Sequence, residues 1–182
     1  MASNTLEPST DDAPATTSKR GDAEGVGRSV TINRPRQELY DYWRNLAHLP
    51  NVLENVERIE VLNATRSHWV VKAPGGGTVE WDSVITEDRS GALIAWVSEE
   101  GAEVANSGRI RFADAGARGT VVTALLSYDP PAGIIGKTIA KMFQREPAIQ
   151  ARRDLRRFKQ LMETGEISTN ARNRAELEAE KE

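Results

Sequence analysis

The spacing of apolar residues changes twice along this chain, and the order of those changes constrains its fold most. A short stretch at helical spacing, containing Leu39, Trp43 and Leu46, comes first. A long stretch that alternates with period two follows, and residues 148–163 then return to helical spacing. Short connections between alternating strands favour antiparallel hairpins. The sequence therefore predicts an α+β fold, in which an antiparallel sheet curls around a terminal helix and leaves an apolar hollow between them.

Seven strands are predicted from the alternation and from the turn residues between the strands. Their ranges are 26–32, 56–62, 68–73, 78–86, 93–98, 107–112 and 120–128. A helix should open after Pro35, end near Pro50, and be followed by one further turn at 51–55. A second helical segment is predicted at 134–144, and Pro147 should kink or restart the helix that follows it. Gly165 is a typical residue for the end of that helix.

The hairpin between the third and fourth strands predicts two contrasting faces. If it turns about Gly76, Val71 lies opposite Trp81 on an apolar inner face, and Lys72 lies opposite Glu80 on the outer face. Glu80 and Asp82 form a carboxylate pair on that outer face, where the alternation favours solvation over acid and base chemistry.

One domain is predicted over residues 26–165 of the 182-residue chain, because the patterned apolar residues lie there. Residues 1–25 have almost nothing to bury and are expected to be disordered, and residues 166–182 are expected to form a charged, solvated tail. The formal net charge of -3 argues against nucleic acid as a partner. We expect a cytoplasmic protein, since no secretory signal or membrane span is visible; oligomeric state and transient contact with a membrane surface stay open.

No cofactor and no metal site is predicted. The glycine-rich segment 133–138 resembles a phosphate loop, but Pro131 stands where that loop needs a glycine and supplies no backbone N–H. The chain has no cysteine, and its two histidines, His48 and His68, lack the spacing of metal ligands.

The four tryptophans are predicted to converge on one interior, because they lie on the first helix and on three strands. The walls of the hollow follow from the inner faces of the sheet and the terminal helices. They are Trp69, Val71, Trp81 and Trp96 on the sheet, with Phe143, Leu155 and Phe158 on the helices. The basic residues of the last helix should cover its solvated faces: Arg152, Arg153, Arg156, Arg157 and Lys159.

Several segments together resemble the SRPBCC (START-like) superfamily, and within it the polyketide cyclase/dehydrase and coenzyme-Q-binding START-like group. They are Ser67-His68-Trp69-Val70-Val71-Lys72-Ala73-Pro74, Val79-Glu80-Trp81-Asp82, Ile94-Ala95-Trp96, Asn106-Ser107-Gly108 and residues 154–161. The resemblance implies a helix-grip fold of about seven strands with a deep cavity for lipids, quinones or polyketides. Members include enzymes, carriers and sensors, so the fold leaves the activity open.

Three functions are weighed for such a cavity. The first is non-catalytic binding or carriage of a hydrophobic small molecule, such as a lipid, an isoprenoid quinone or a polyketide-like compound. The second is a cyclase or dehydratase acting on a hydrophobic ketone, with His48 or Glu57 as base and Arg44 or Arg109 polarising an oxygen. The third is an interaction module whose apolar groove takes a partner's helix or a lipid at a membrane surface.

Overall fold

A single antiparallel sheet of seven strands and two α-helices make up the part of the chain that the computed structural model describes, residues 26–73, 76–129 and 147–167. The strands are β1 (Val26–Ile32), β2 (Val56–Val61), β3 (Arg66–Lys72), β4 (Thr78–Arg89), β5 (Leu93–Ser98), β6 (Ala105–Asp114) and β7 (Thr120–Asp129). The helices are α1 (Arg36–Arg44) and α2 (Pro147–Thr164), with short 3₁₀ helices at Leu46–Asn51 and Gly116–Arg118. This architecture confirms the predicted α+β helix-grip fold.

Several predicted features lie outside the described residues: the tail 1–25, the helical segment 134–144 with Phe143, the glycine-rich segment 133–138, and most of the charged tail, 168–182. Within the described ranges, no helix is long and apolar enough to cross a membrane.

The strand order places β1 and β2 at opposite edges of the sheet. Along the sheet the order is β1-β7-β6-β5-β4-β3-β2, and all neighbours are antiparallel. Strands β2 to β7 follow one another as hairpins, while the chain between β1 and β2 crosses the sheet through α1 and the first 3₁₀ helix. Helix α2 returns to the β1 edge, where it contacts β1 and β7. The curled sheet and α2 thus enclose an interior between them.

The predicted register of the β3–β4 hairpin is wrong by two residues. Trp69 pairs with Trp81, and Lys72 pairs with Thr78 and not with Glu80. Because Gly76 and Gly77 both adopt positive φ, and the amide of Ala73 bonds to the carbonyl of Gly77, the hairpin closes closer to β3 than predicted. A shift of two residues keeps every side chain on its face, so the inner face remains apolar.

Two element boundaries also differ from the prediction. Strand β4 continues to Arg89, through residues expected to turn, because a bulge between Ile85 and Glu87 lets pairing with β5 resume. Helix α1 ends at Arg44 and not near Pro50 as predicted, and a 3₁₀ helix covers Leu46–Asn51 after it. At the other end, Gly165 has a positive φ and its amide bonds to the carbonyl of Leu161, which confirms it as the residue that ends α2.

The closed part of the core lies beneath the C-terminal half of α2. Phe158 is fully buried, and its ring centroid lies 5.2 Å from that of Trp43, in an edge-to-face arrangement. Leu39 of α1 and Ile32 of β1 are also fully buried in this cluster. These contacts fix α1 and α2 against the same region of the sheet.

Candidate functional site

A cavity of about 290 Å³ lies between the first turns of α2 and the inner face of the sheet. Its walls come from α1, the first 3₁₀ helix (Leu46–Asn51), strands β2 to β7 and α2. Most of the side chains that line it are apolar: Trp43, Leu46, Leu49, Leu53, Val56, Trp69, Val71, Trp81, Ile85, Ile94, Trp96, Ala124, Leu126, Ile149, Ala151 and Leu155. Such a wall favours an apolar guest, because binding removes apolar surface from water.

All four tryptophans line this cavity, including Trp43, which the sequence places in the shared interior but not among the cavity walls. Trp69 and Trp81 are cross-strand neighbours whose rings stack with an interplanar angle of 5° and a centroid distance of 6.4 Å. Trp96 pairs with Gly108, and its ring lies so close that a Cβ at position 108 would come within 2.4 Å of a ring carbon. Gly108 therefore lets the indole lie against the sheet.

Small polar side chains on the inner face keep the cavity open without making it strongly polar. Ser67 and Ser83 pair across β3 and β4, and each is 2% exposed. Ser67 Oγ accepts a 2.9 Å hydrogen bond from Trp69 Nε1, and Ser83 Oγ donates to the carbonyl of Val97. Among the described residues, no buried side-chain nitrogen or oxygen lacks a hydrogen-bond partner. These groups are satisfied by the protein, so they do not require a polar ligand.

Asp154 is the carboxylate in the described lining, and it lies on α2 near the mouth formed with the loop before β2. Its Oδ1 accepts hydrogen bonds from the amide of Glu54, at 3.1 Å, and from Gln150 Nε2, at 2.9 Å. Burial raises the pKa of Asp154 to about 6, against the lowering effect of these two hydrogen bonds. Arg153 is the cation of the described lining.

Of the seven residues predicted as ligand-binding, five line the cavity: Trp69, Val71, Trp81, Trp96 and Leu155. Phe158 does not line it, because its ring is fully buried against Trp43 and Tyr42 in the closed core. Phe143 lies outside the described residues. Contact of the five with a ligand stays a prediction.

The sequence reasoning missed Asp154 and Gln150, because both lie in a helix whose arginines suggested a solvated surface. A signal for Asp154 was nevertheless present. On a helix, residue 154 lies between the apolar positions Ala151 and Phe158, three residues before it and four after it, so its carboxylate falls on the buried side.

Arg157 also departs from the prediction of a solvated arginine. Its Nε donates to the carbonyl of Val52 at 2.9 Å, and its Nη2 donates to that of Asn51 at 3.1 Å. The side chain therefore ties α2 to the end of the 3₁₀ helix.

None of the four residues weighed for an enzyme lines the cavity. His48 is exposed and packs against the ring of Tyr42 at a centroid distance of 5.1 Å. Arg44 pairs with Asp88 at 2.7 Å. Glu57 and Arg109 are exposed side chains. A reaction built on these groups therefore has no support from their positions.

The outer face of β3 and β4 carries a charged network. His68 Nδ1 lies 2.7 Å from Asp82 Oδ1, and its Nε2 lies 3.4 Å from Glu80 Oε2. Arg66 bonds to both carboxylate oxygens of Glu99, at 2.7 and 2.6 Å. The hydrogen bond to Asp82 raises the pKa of His68. Glu80 and Asp82 thus face outward as predicted, and the described ranges contain no cluster of three or more residues suited to a metal ion.

Two solved structures of known class share this fold at low sequence identity. An aromatase/cyclase from Streptomyces sp. R1128 is 17% identical, over 80% of this chain and 99% of its own, with a TM-score of 0.58. A START superfamily protein from Mycobacterium smegmatis is 12% identical, over 72% of this chain and 97% of its own, with a TM-score of 0.53. These similarities establish the START-like fold.

Closer sequence similarity comes from a protein of Deinococcus radiodurans whose crystal structure is known. It is 41% identical, over 78% of this chain and 99% of its own, with a TM-score of 0.64. The family model described as polyketide cyclase/dehydrase and lipid transport matches residues 32–156, which run from the end of β1 into α2 and include the candidate cavity. The chain therefore belongs to the polyketide cyclase/dehydrase and lipid transport family.

Proposed function

We propose that this protein binds a hydrophobic small molecule in its interior cavity and carries it without changing it covalently. The observation that carries the proposal is the wall itself, where four tryptophans and twelve aliphatic side chains surround one hollow. Burial of apolar ligand surface contributes roughly 25 cal/mol per Å², so such a wall supplies affinity without catalytic groups. A lipid, an isoprenoid quinone and a polyketide-like molecule all meet this requirement.

The size of the cavity narrows the class of ligand. Cavities for small molecules range over about 300–1,000 Å³, and the 290 Å³ found here lies near the lower limit. We expect a compact ligand, or one of which a ring or a short chain segment enters. Ile149, an exposed apolar side chain in the cavity wall, offers contact area at the mouth.

A cyclase or dehydratase is the second candidate, and Asp154 is the observation that favours it. A carboxyl group with a pKa of about 6 can exchange protons near neutral pH, which suits a general acid or base. The base candidates His48 and Glu57 do not line the cavity. Carriage needs only an apolar wall, which the described residues supply, whereas catalysis also needs catalytic groups in the cavity besides Asp154.

The test is to identify what the protein carries. The protein is purified from its native host without detergent and extracted with organic solvent, and the extract is analysed by mass spectrometry. We expect one hydrophobic compound in near-stoichiometric amount. Incubation of that compound with the protein should return it unchanged, whereas a time-dependent product would favour the enzyme.

The matched control fills the cavity from the helix side. Ala151 is buried and lines the cavity, so Ala151→Phe places a ring in the hollow. This variant, shown to be folded by circular dichroism, should yield an extract without the compound. Equal amounts from both proteins would place the compound elsewhere and contradict the proposal.

A further inference from the structure

Asp154 presents an acceptor atom, Oδ2, for which the described part of the chain supplies no hydrogen bond. Both hydrogen bonds to its carboxylate, from the amide of Glu54 and from Gln150, end on Oδ1. No partner for Oδ2 is found among the described residues, and since no fully buried side-chain oxygen there lacks a partner, this atom of the cavity-lining side chain remains accessible. The two bonds on Oδ1 hold the carboxylate in one orientation, so Oδ2 is a positioned acceptor.

The charges around Asp154 favour a ligand with a neutral hydrogen-bond donor over a ligand with a positively charged one. Arg157 lies close enough to lower the pKa of this carboxyl, but its guanidinium bonds to the carbonyls of Asn51 and Val52. Glu54 acts in the opposite direction, and Arg153 adds a further positive charge to the wall. An ammonium group on the ligand would meet these cations, whereas a hydroxyl group would not.

We propose that Asp154 is the polar anchor of the cavity and that the ligand is a hydrophobic molecule bearing a hydroxyl group, which donates a hydrogen bond to Oδ2. This inference rests on the proposed binding function and narrows its ligand class. A hydrogen bond to an ionised acceptor is stronger than one between neutral groups, so one bond can orient an otherwise apolar guest. A ketone, a quinone or an ether has no proton to donate to this oxygen.

The anchor predicts opposite pH responses for two kinds of ligand. An alcohol or phenol binds best to the carboxylate, so its affinity should rise as the pH rises through about 6, where Asp154 ionises. A ligand with acceptors alone would instead need the protonated carboxyl as donor, and its affinity should fall over the same range. The sign of the pH dependence thus reports which partner donates.

The experiment compares 1-naphthol with 1-methoxynaphthalene, which share an apolar body and differ in the donor. Binding is measured by titration calorimetry on both sides of the pKa of Asp154, with the full chain. Above it, wild-type protein should prefer the naphthol by about tenfold or more, as expected for a hydrogen bond to a charged acceptor. At a pH below the pKa of Asp154, the preference for the naphthol should shrink.

Asp154→Asn is the informative variant, because the amide oxygen can still accept the bonds from Glu54 and Gln150 while the charge is lost. The preference should fall to within about threefold and lose its pH dependence, because the amide Nδ2 that replaces Oδ2 is a donor and cannot accept the hydroxyl proton of the naphthol. Glu57→Gln, at an exposed acid outside the cavity, should behave like the wild type.

Two results would overturn the anchor and are distinguishable. If both probes bind equally to wild-type protein and to Asp154→Asn at every pH, hydrophobic binding stands and the anchor is wrong. If neither probe binds while thermal unfolding shows intact protein, the proposed binding function fails, and the anchor fails with it.

Discussion

The two halves of α2 lie on the same sheet but meet different interiors. Beneath the C-terminal half, Phe158 is fully buried and packs edge-to-face on Trp43 of α1. Beneath the N-terminal half, Ala151 and Asp154 face a cavity of about 290 Å³. One half of the helix thus closes the core, and the other half covers a hollow.

The two halves of α2 differ in what lies against the helix. Helix α1 supplies Leu39 and Trp43 to the closed half, where the ring of Phe158 completes the packing. The open half faces a cavity whose far wall includes the small inner-face residues Ser67, Ser83 and Ala124 as well as tryptophans. Stability and ligand binding are therefore assigned to different segments of one amphipathic helix, and changes in the two segments should have separable effects.

The largest expected effect is a loss of stability when the large buried side chain of the closed half, Phe158, is truncated. Truncation of a fully buried phenylalanine typically costs about 3–5 kcal/mol, because transfer and cavity contributions add. Phe158→Ala should lower the free energy of unfolding by about that amount, measured by urea denaturation, because its aromatic neighbours Trp43 and Tyr42 lose their contact.

The matched control for Phe158→Ala is Leu126→Ala, at a partly exposed residue that lines the cavity. Here the truncation enlarges an existing space, so the loss of stability should be clearly smaller. Equal losses in the two variants would mean that the two halves of the interior do not differ as the structure indicates.

A smaller loss of stability is expected at Gly108, where the open half of the interior has no room for a side chain. A Cβ at Gly108 would lie 2.4 Å from the ring of Trp96, so Gly108→Ala should push that indole from the sheet towards the cavity. Overpacking of this kind costs about 1–3 kcal/mol. We expect a loss of unfolding free energy in that range and weaker binding of the extracted ligand, measured by titration calorimetry.

A double-mutant cycle isolates the cause of the Gly108 effect. In a Trp96→Ala background, the added methyl group has no ring to displace, so Gly108→Ala should cost little further stability. The same cost in both backgrounds would show that the glycine is needed for a reason other than Trp96.

Periodicity alone predicts most of the fold. Strands β1 (Val26–Ile32) and β5 (Leu93–Ser98) match their predicted ranges to the residue, because alternation and flanking turns mark their ends. The hairpin register and the length of β4 are not predictable in this way. Both depend on the local backbone, through positive φ at Gly76 and Gly77 and through the bulge near Ile85, and hydrophobic patterning does not encode either.

The candidate site is predictable only in part. Trp69 and Trp81 are found because large aromatic residues alternate on an inner strand face. Leu155 and Phe158 share one apolar face of α2, and spacing alone does not tell which of them meets a hollow. The basic neighbours of Asp154 obscure its place between Ala151 and Phe158 on the buried side of the helix, and spacing alone does not show that its carboxylate meets the cavity.

The smallest effect is expected on the outer face of the same strands, which contacts neither half of the interior. Hydrogen bonding to Asp82 raises the folded-state pKa of His68 above the usual value of 6.5, so the protonated imidazole stabilises the fold. That stabilisation is fully present below pH 6.5 and is lost as the pH rises through the raised pKa. The melting temperature of wild-type protein should therefore exceed that of His68→Gln by more below pH 6.5 than well above it.

The difference in melting temperature should be small, because exposed ion pairs contribute about 0–1 kcal/mol. Ligand affinity should be the same in both proteins. A stability difference that grows with pH, or a change in affinity, would show that the outer network acts on the interior and that the separation of the two faces is incomplete.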